Sequence, residues 1–295
     1  MTTGPVSTSG PLSTSGPLST GGPRADLGVI GGSGFYEFLT DAEQVSVPTP
    51  FGDPSDDLVV GEVEGRRVAF IARHGKGHRF QPHEVNYRAN LWALRSVGVR
   101  QILSPCAVGS LKSELGPGTF VIPDQVVDRT WGRPQTVYAG EGEVVHVGFA
   151  DPFCPRGRAV VTSAAEAAGK QVAPDGTLVV INGPRFSSKA ESQWHQAAGW
   201  SIVGMTTMPE AAIARELAMC FTTVAVVTDY DVGVHGGEAV THEEVLRVFA
   251  QNVEGLKSVL RAAIAHMPET EPDSEATCAC RRSLDGIRLP FALPG

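Results

Sequence analysis

Short apolar runs rich in β-branched residues alternate along this chain with longer stretches in which apolar residues recur every three or four positions. The short runs predict strands at Leu27–Ile30, Val68–Ala72, Gln101–Ser104, Phe120–Pro123, Thr177–Ile181, Ile202–Met205 and Phe221–Thr228. The longer stretches predict helices at Asn86–Val97, Arg156–Ala168, Ser188–Ala198, Pro209–Met219 and His242–Ala265. Such alternation implies an α/β fold: a single domain with a central mixed, largely parallel β-sheet flanked by helices. Ligands of open sheets of this kind collect outside the carboxyl ends of the strands, which directs attention to the loops that follow them.

The pattern begins near residue 25 and ends near residue 266, so the folded domain is expected over 25–266. Residues 1–24 carry a hexamer repeat, Thr8–Ser13 and then Thr14–Ser19, too poor in apolar residues to fold. Residues 267–295 read as a partly disordered extension rich in Pro, Glu and Thr, with a last apolar patch at Leu289–Leu293 that can dock back.

Composition narrows the functional classes. At 295 residues and 42% hydrophobic, the chain can bury a large core without disulfides or metals. A formal charge of -8 disfavours nonspecific binding to nucleic acid or anionic membrane, both of which need a cationic surface, so small molecules are the expected partners. With no long apolar span and no basic-then-apolar leader, the expected location is cytoplasmic. The five cysteines are scattered and odd in number, which fits reduced thiols. Cys278-Ala279-Cys280 has no second Cys or His pair nearby in sequence, so no metal is expected there.

Several loops carry chemistry. Gly31-Gly32-Ser33-Gly34 follows a strand and has the character of an anion-cradling turn, with convergent amides and the Ser33 hydroxyl. It is not a dinucleotide fingerprint, because Glu37 stands where the third glycine is needed, and Gly75-Lys76 is followed by Gly77, so no Walker loop is present. Arg73-His74-Gly75-Lys76-Gly77-His78 gathers cationic donors after the second predicted strand, with Arg73 offering a planar fork and His74 a switchable donor. Ser104–Ser110 reads as a small-residue turn. Phe186 can present a flat ring to a purine, and Thr206 a hydroxyl at a helix start. Asp229 and Asp231, at i and i+2 after a buried strand, are a carboxylate pair suited to proton transfer.

Taken together, Val29–Phe35, Ala72–Gly75, Val85–Asn90, Cys106–Leu111, Gly183–Ser188, Met205–Thr207 and Thr228–Asp231 resemble the methylthioadenosine phosphorylase branch of the trimeric purine nucleoside phosphorylases over about residues 27 to 265. The resemblance implies that Ser33, Arg73, His74, Cys106, Ala107 and Thr206 surround phosphate and that Met205 meets the ribose through its backbone. It puts Phe186 and Ser187 beside the base, Asp229 and Asp231 at the purine edge, and His242, Val245 and Leu246 around the 5′ substituent. His146 would come from a neighbouring subunit of a homotrimer. Asp229 would be the catalytic acid, inorganic phosphate a co-substrate, and no metal or organic cofactor would be required. Two positions depart from the family pattern: Cys106 stands where a hydroxyl residue is usual, and His242 where this branch is commonly apolar. A 5′-hydroxyl and other small 5′ groups therefore remain open alongside methylthio.

Overall fold

Strand β1 (Leu27–Gly31) is buried along its whole length, as a strand covered on both faces must be, and it sits between two parallel neighbours. The computed structural model describes residues 23–32, 39–140, 142–231 and 242–295. Among these, the hairpin β2 (Thr40–Val45) and β3 (Leu58–Val63) leads antiparallel into β4 (Arg66–Ala72), which pairs parallel with β1. Next come α1 (Tyr87–Ser96), β5 (Gln101–Ser110), β6 (Phe120–Val121), β7 (Gln125–Arg129) and α2 (Pro155–Ala167). The chain continues through β8 (Val172–Ala173), β9 (Thr177–Ile181), α3 (Lys189–Ala197), β10 (Ile202–Gly204), α4 (Thr207–Glu216), β11 (Cys220–Tyr230) and α5 (His242–His266). One path through the sheet runs β2-β3-β4-β1-β5-β10-β9-β7, and β11 branches from β5. The sheet is mixed: β1, β4, β5 and β11 run parallel, whereas β10 meets β5 antiparallel.

Helices cover both faces. Leu91 and Leu94 of α1 and Ile213 and Leu217 near α4 pack with Ile30, Ile102 and Phe221. On the other face Val161 of α2 and Leu256, Leu260 and Ile264 of α5 pack with Leu27, Val29, Val224 and Val226. Successive residues of β11 serve opposite cores, so a continuous apolar run is needed there. Local signals set the helix starts: Asn86 accepts from the Ala89 amide, and Ser188 and Glu191 form a reciprocal capping box.

Two sequence expectations are corrected. Strands β2, β3, β7 and β8 were not predicted; β2 is almost wholly exposed and β8 is two residues long, so neither carries an apolar alternation. The expected turn at Ser104–Ser110 is instead strand, because β5 continues alongside β11 for its whole length. On the other edge of β5, β1 pairs only as far as Leu103 and β10 only from Gly109, so among the described residues the edge between them has no ladder partner. Residues 267–295 lie against the domain. The Asp273 carboxylate takes bonds from Arg95, Arg100 and Arg281, and Phe291 stacks on Tyr138 at 5.2 Å and meets Trp92 edge-on at 5.8 Å. Polar clamps of this kind leave no helical or strand periodicity to read.

Candidate active site

Several of the predicted residues gather along β5. Arg73 directly follows β4, and its amide donates to the Gly31 carbonyl at 3.0 Å, fixing it beside the end of β1. Its side chain is 4% exposed and crosses to β5, where Nη1 donates to the Pro105 carbonyl at 3.2 Å. Nη2 donates to the Ser104 hydroxyl at 2.7 Å and the Ile30 carbonyl at 3.0 Å. The fork itself is taken by Glu210 of α4: Nε reaches Oε1 at 2.5 Å and Nη2 reaches Oε2 at 3.2 Å. Glu210 has no exposed surface, so each charge is the other's compensation. Burial lowers the pKa of the Arg73 guanidinium, but its pairing with Glu210 outweighs this and holds it above its ordinary value. The five guanidinium hydrogens are therefore nearly all committed among the described residues, leaving one on Nη1.

His74 donates from Nδ1 to the Phe80 carbonyl at 2.8 Å and stacks on His78 at 4.2 Å. Burial, reinforced by the Arg73 charge, lowers its pKa to about 4, so near neutrality the ring is uncharged and Nε2 is an acceptor. Cys106 lies on β5 and bonds to Thr207; burial raises its thiol to about 11, so it is a neutral SH. Ala107, next along β5, is half-buried. Thr206 caps α4 with no capping bond from its own side chain, and the bond between Cys106 and Thr207 brings the start of α4 to β5. Ser33 lies outside the described residues.

Three residues further along β5, Gly109 pairs in register with Asp229 of β11. A side chain at Gly109 would meet Asp229 Oδ1 at 3.0 Å and Asp231 Cβ at 3.5 Å, so both carboxylate residues flank the same bare backbone. A bulge between Val227 and Asp229 turns the strand here, Thr228 Oγ1 donates to Asp229 Oδ2 at 2.7 Å, and the Asp231 amide donates to the Ser110 carbonyl. From Cys106 to Gly109 is about 10 Å of strand.

The loop that carries Phe186 and Ser187 follows β9. Gly183 has φ +61, and a Cβ there would lie 2.7 Å from Met205 Sδ, so glycine spares the backbone strain and the shift of Met205 that a side chain would impose where this loop meets the end of β10. Arg133 ties the two loops, donating to the Asn182 carbonyl at 2.7 Å and the Met208 carbonyl at 2.6 Å. Phe186 and Met205 are half-buried; Ser187 is buried and its hydroxyl has no partner among the described residues. A cavity of about 210 Å³ opens beside this loop, lined in part by Asn182, Gly183, Arg129, Trp194 and His195. Burial lowers the pKa of His195, and the charge of nearby Asp231 opposes that effect. Val245 is half-buried on α5, and the side chains of His242 and Leu246 lie outside the described residues. His146 is exposed and far along the chain from these strands, on the loop before α2.

Glu210, Ser104, Arg133 and His195 were not singled out from the sequence. A carboxylate four residues after Thr206, in the first turn of a helix, looks like an ordinary dipole partner until a buried arginine is found opposite.

Residues 26–265 match the model of the phosphorylase superfamily. A purine nucleoside phosphorylase of Streptomyces coelicolor is 56% identical, over 92% of this chain and 98% of its own. An S-methyl-5′-thioadenosine phosphorylase of Mycolicibacterium smegmatis is 49% identical, over 91% of this chain and 99% of its own. Among solved structures, a methylthioadenosine phosphorylase from an antarctic soil metagenomic library superposes with a TM-score of 0.82 at 41% identity, covering 90% of this chain and 92% of that one. With the unpaired edge of β5 between a buried arginine and a carboxylate pair, and likeness over nearly the whole length, the chain belongs to the phosphorylase superfamily and, within it, to the methylthioadenosine phosphorylase branch of the purine nucleoside phosphorylases.

Proposed function

We propose that this chain is a pentosyltransferase that cleaves 5′-methylthioadenosine with inorganic phosphate to adenine and 5-methylthioribose 1-phosphate. Phosphate lies against the open edge of β5, near Cys106, Ala107 and the Thr206 hydroxyl, with Ser33 as a further donor. Arg73, its charge balanced by Glu210, supplies its one remaining Nη1 hydrogen. Neutral His74 accepts from the O–H of a phosphate monoanion, which sharpens the charge on the attacking oxygen. That oxygen bonds to C1′ as the C1′–N9 bond breaks, and the bonding pair leaves with the purine. Developing positive charge on the ribosyl group faces the phosphate, and Asp229 delivers a proton or hydrogen bond to N7. Phe186 and Ser187 border the base and Asp231 its edge, Met205 meets the ribose, and His242, Val245 and Leu246 surround the 5′ group.

The observation that carries this reading is the common strand: the Arg73–Glu210 pair meets β5 at Ser104 and Pro105 and the Asp229–Asp231 pair meets it at Gly109, roughly 13 Å along, and among the described residues the stretch between β1's last partner, Leu103, and β10's first, Gly109, is unpaired on that edge. A homotrimer with His146 entering a neighbour's site fits the exposure of Val144, Trp131 and Trp194, at 76%, 74% and 48%. Phosphorolysis of adenosine or inosine is the second reading, favoured by the name of the 56% identical relative and by His242.

Incubating the protein with methylthioadenosine, adenosine, inosine and a 5′-halogenated adenosine, with and without phosphate, tests both. Phosphate-dependent adenine release, fastest from methylthioadenosine, is expected. Release without phosphate would make it a nucleosidase, faster inosine turnover would favour the second reading, and binding with no turnover would leave a noncatalytic nucleoside-binding protein.

A further inference from the structure

At the opposite end of β11 from Asp229, four buried cysteines from three distant parts of the chain converge. Cys220 opens β11, Cys154 caps α2, and Cys278 and Cys280 come from the C-terminal segment. Their four Sγ atoms lie within 4.8 Å of one another, with Cys154–Cys278 at 3.7 Å and Cys220–Cys278 at 3.6 Å. A disulfide requires about 2.05 Å. A tetrahedron of thiolates around zinc, with Zn–S near 2.3 Å, has sulfur–sulfur edges of about 3.8 Å. Both of those distances match such an edge.

We propose that Cys154, Cys220, Cys278 and Cys280 bind one zinc ion as a closed structural site that clasps the C-terminal segment to the core. Four soft thiolates with no carboxylate or imidazole among them suit zinc, and the burial of all four leaves no open position for a substrate. Binding replaces four S–H protons with one divalent cation, so the filled site carries a net charge of about -2. The surroundings suit that charge. Arg215 reaches Cys280 Sγ at 3.7 Å, the Gly157 amide in the first turn of α2 donates to Cys154, and the Cys280 amide donates to Cys278. The framework is also built independently of any ion: the Cys154 amide donates to the Phe221 carbonyl and the Cys220 amide to the Arg100 carbonyl, both at 2.9 Å. The cluster is not legible in the sequence because the partners of the Cys278-Ala279-Cys280 pair lie 58 or more positions away and meet it only in the fold.

The test is metal analysis of the full-length protein purified without chelator. About one zinc per chain is expected, released by a thiol-blocking mercurial and replaceable by cobalt with the intense visible bands of a tetrahedral cobalt thiolate. Cys278→Ser with Cys280→Ser should lose the metal and open residues 268–295 to limited proteolysis, while Cys106→Ser should keep its zinc. Should the double variant fail to fold, the zinc content and cobalt spectrum of the native chain still decide. Four free thiols without metal, disulfides in the intact mass, or iron or copper in place of zinc would each overturn the proposal.

Discussion

Replacing Glu210 with Gln keeps the shape of the site and removes one buried charge. Arg73 would then stay 4% exposed with no carboxylate within reach, and the amide NH2 would face Nη2 where an oxygen now accepts at 3.2 Å. Breaking a buried ion pair from one side typically costs about 3–5 kcal/mol. Ser104 and the carbonyls of Ile30 and Pro105 still hold the guanidinium, so we take the lower end, about 3 kcal/mol. At roughly 2–4 °C per kcal/mol for a chain of this class, the melting temperature should fall by on the order of 10 °C in phosphate-free buffer. Phosphate should return part of it. The uncompensated guanidinium becomes a stronger anion site, and an anion at 100 times its dissociation constant adds about 2.7 kcal/mol. Calorimetry of both proteins across a phosphate series measures the two effects together. A variant that melts within about 1 °C of the parent, or that gains no more from phosphate than the parent does, would refute the reasoning.

Gly109→Ala puts a methyl 3.0 Å from Asp229 Oδ1 and 3.1 Å from Val203 Cγ1; kcat should fall about tenfold or more as the acid is displaced, with little change in the apparent KM for phosphate, both read from initial rates. Asp229→Asn should lower kcat by roughly 10²–10⁴ while phosphate affinity, followed by titration, holds; equal losses in both would remove the acid role. His74 has an ordinary pKa of 6.5 and about 4 when folded, so the unfolded chain binds more protons between those values. Stability from this residue is complete above pH 6.5 and is lost as pH falls toward 4, by at most about 3 kcal/mol. His74→Gln should flatten the melting temperature over that window, and an unchanged slope would count against it.

Periodicity made the sheet and its helices readable because burial on one or both faces forces an apolar pattern. The same logic explains what was missed, since the exposed β2 and the two-residue β8 bury too little to leave one. At the site, residue type announced chemistry at Arg73, His74 and Asp229, each placed at or just past a strand end. Residue type said nothing of Glu210, whose meaning depends on an arginine 137 positions earlier.

By itself, then, the sequence determined the α/β class, the order of most elements and the loops that carry charge, because these follow from local spacing and side-chain chemistry. Only the tertiary structure decided that β5 runs on past Ser104 with a stretch of one edge unpaired among the described residues, that the Arg73 fork is occupied by Glu210, and that Cys154, Cys220, Cys278 and Cys280 share one buried point. Those outcomes depend on which distant groups leave water together, a choice made by packing rather than by any window of neighbouring residues.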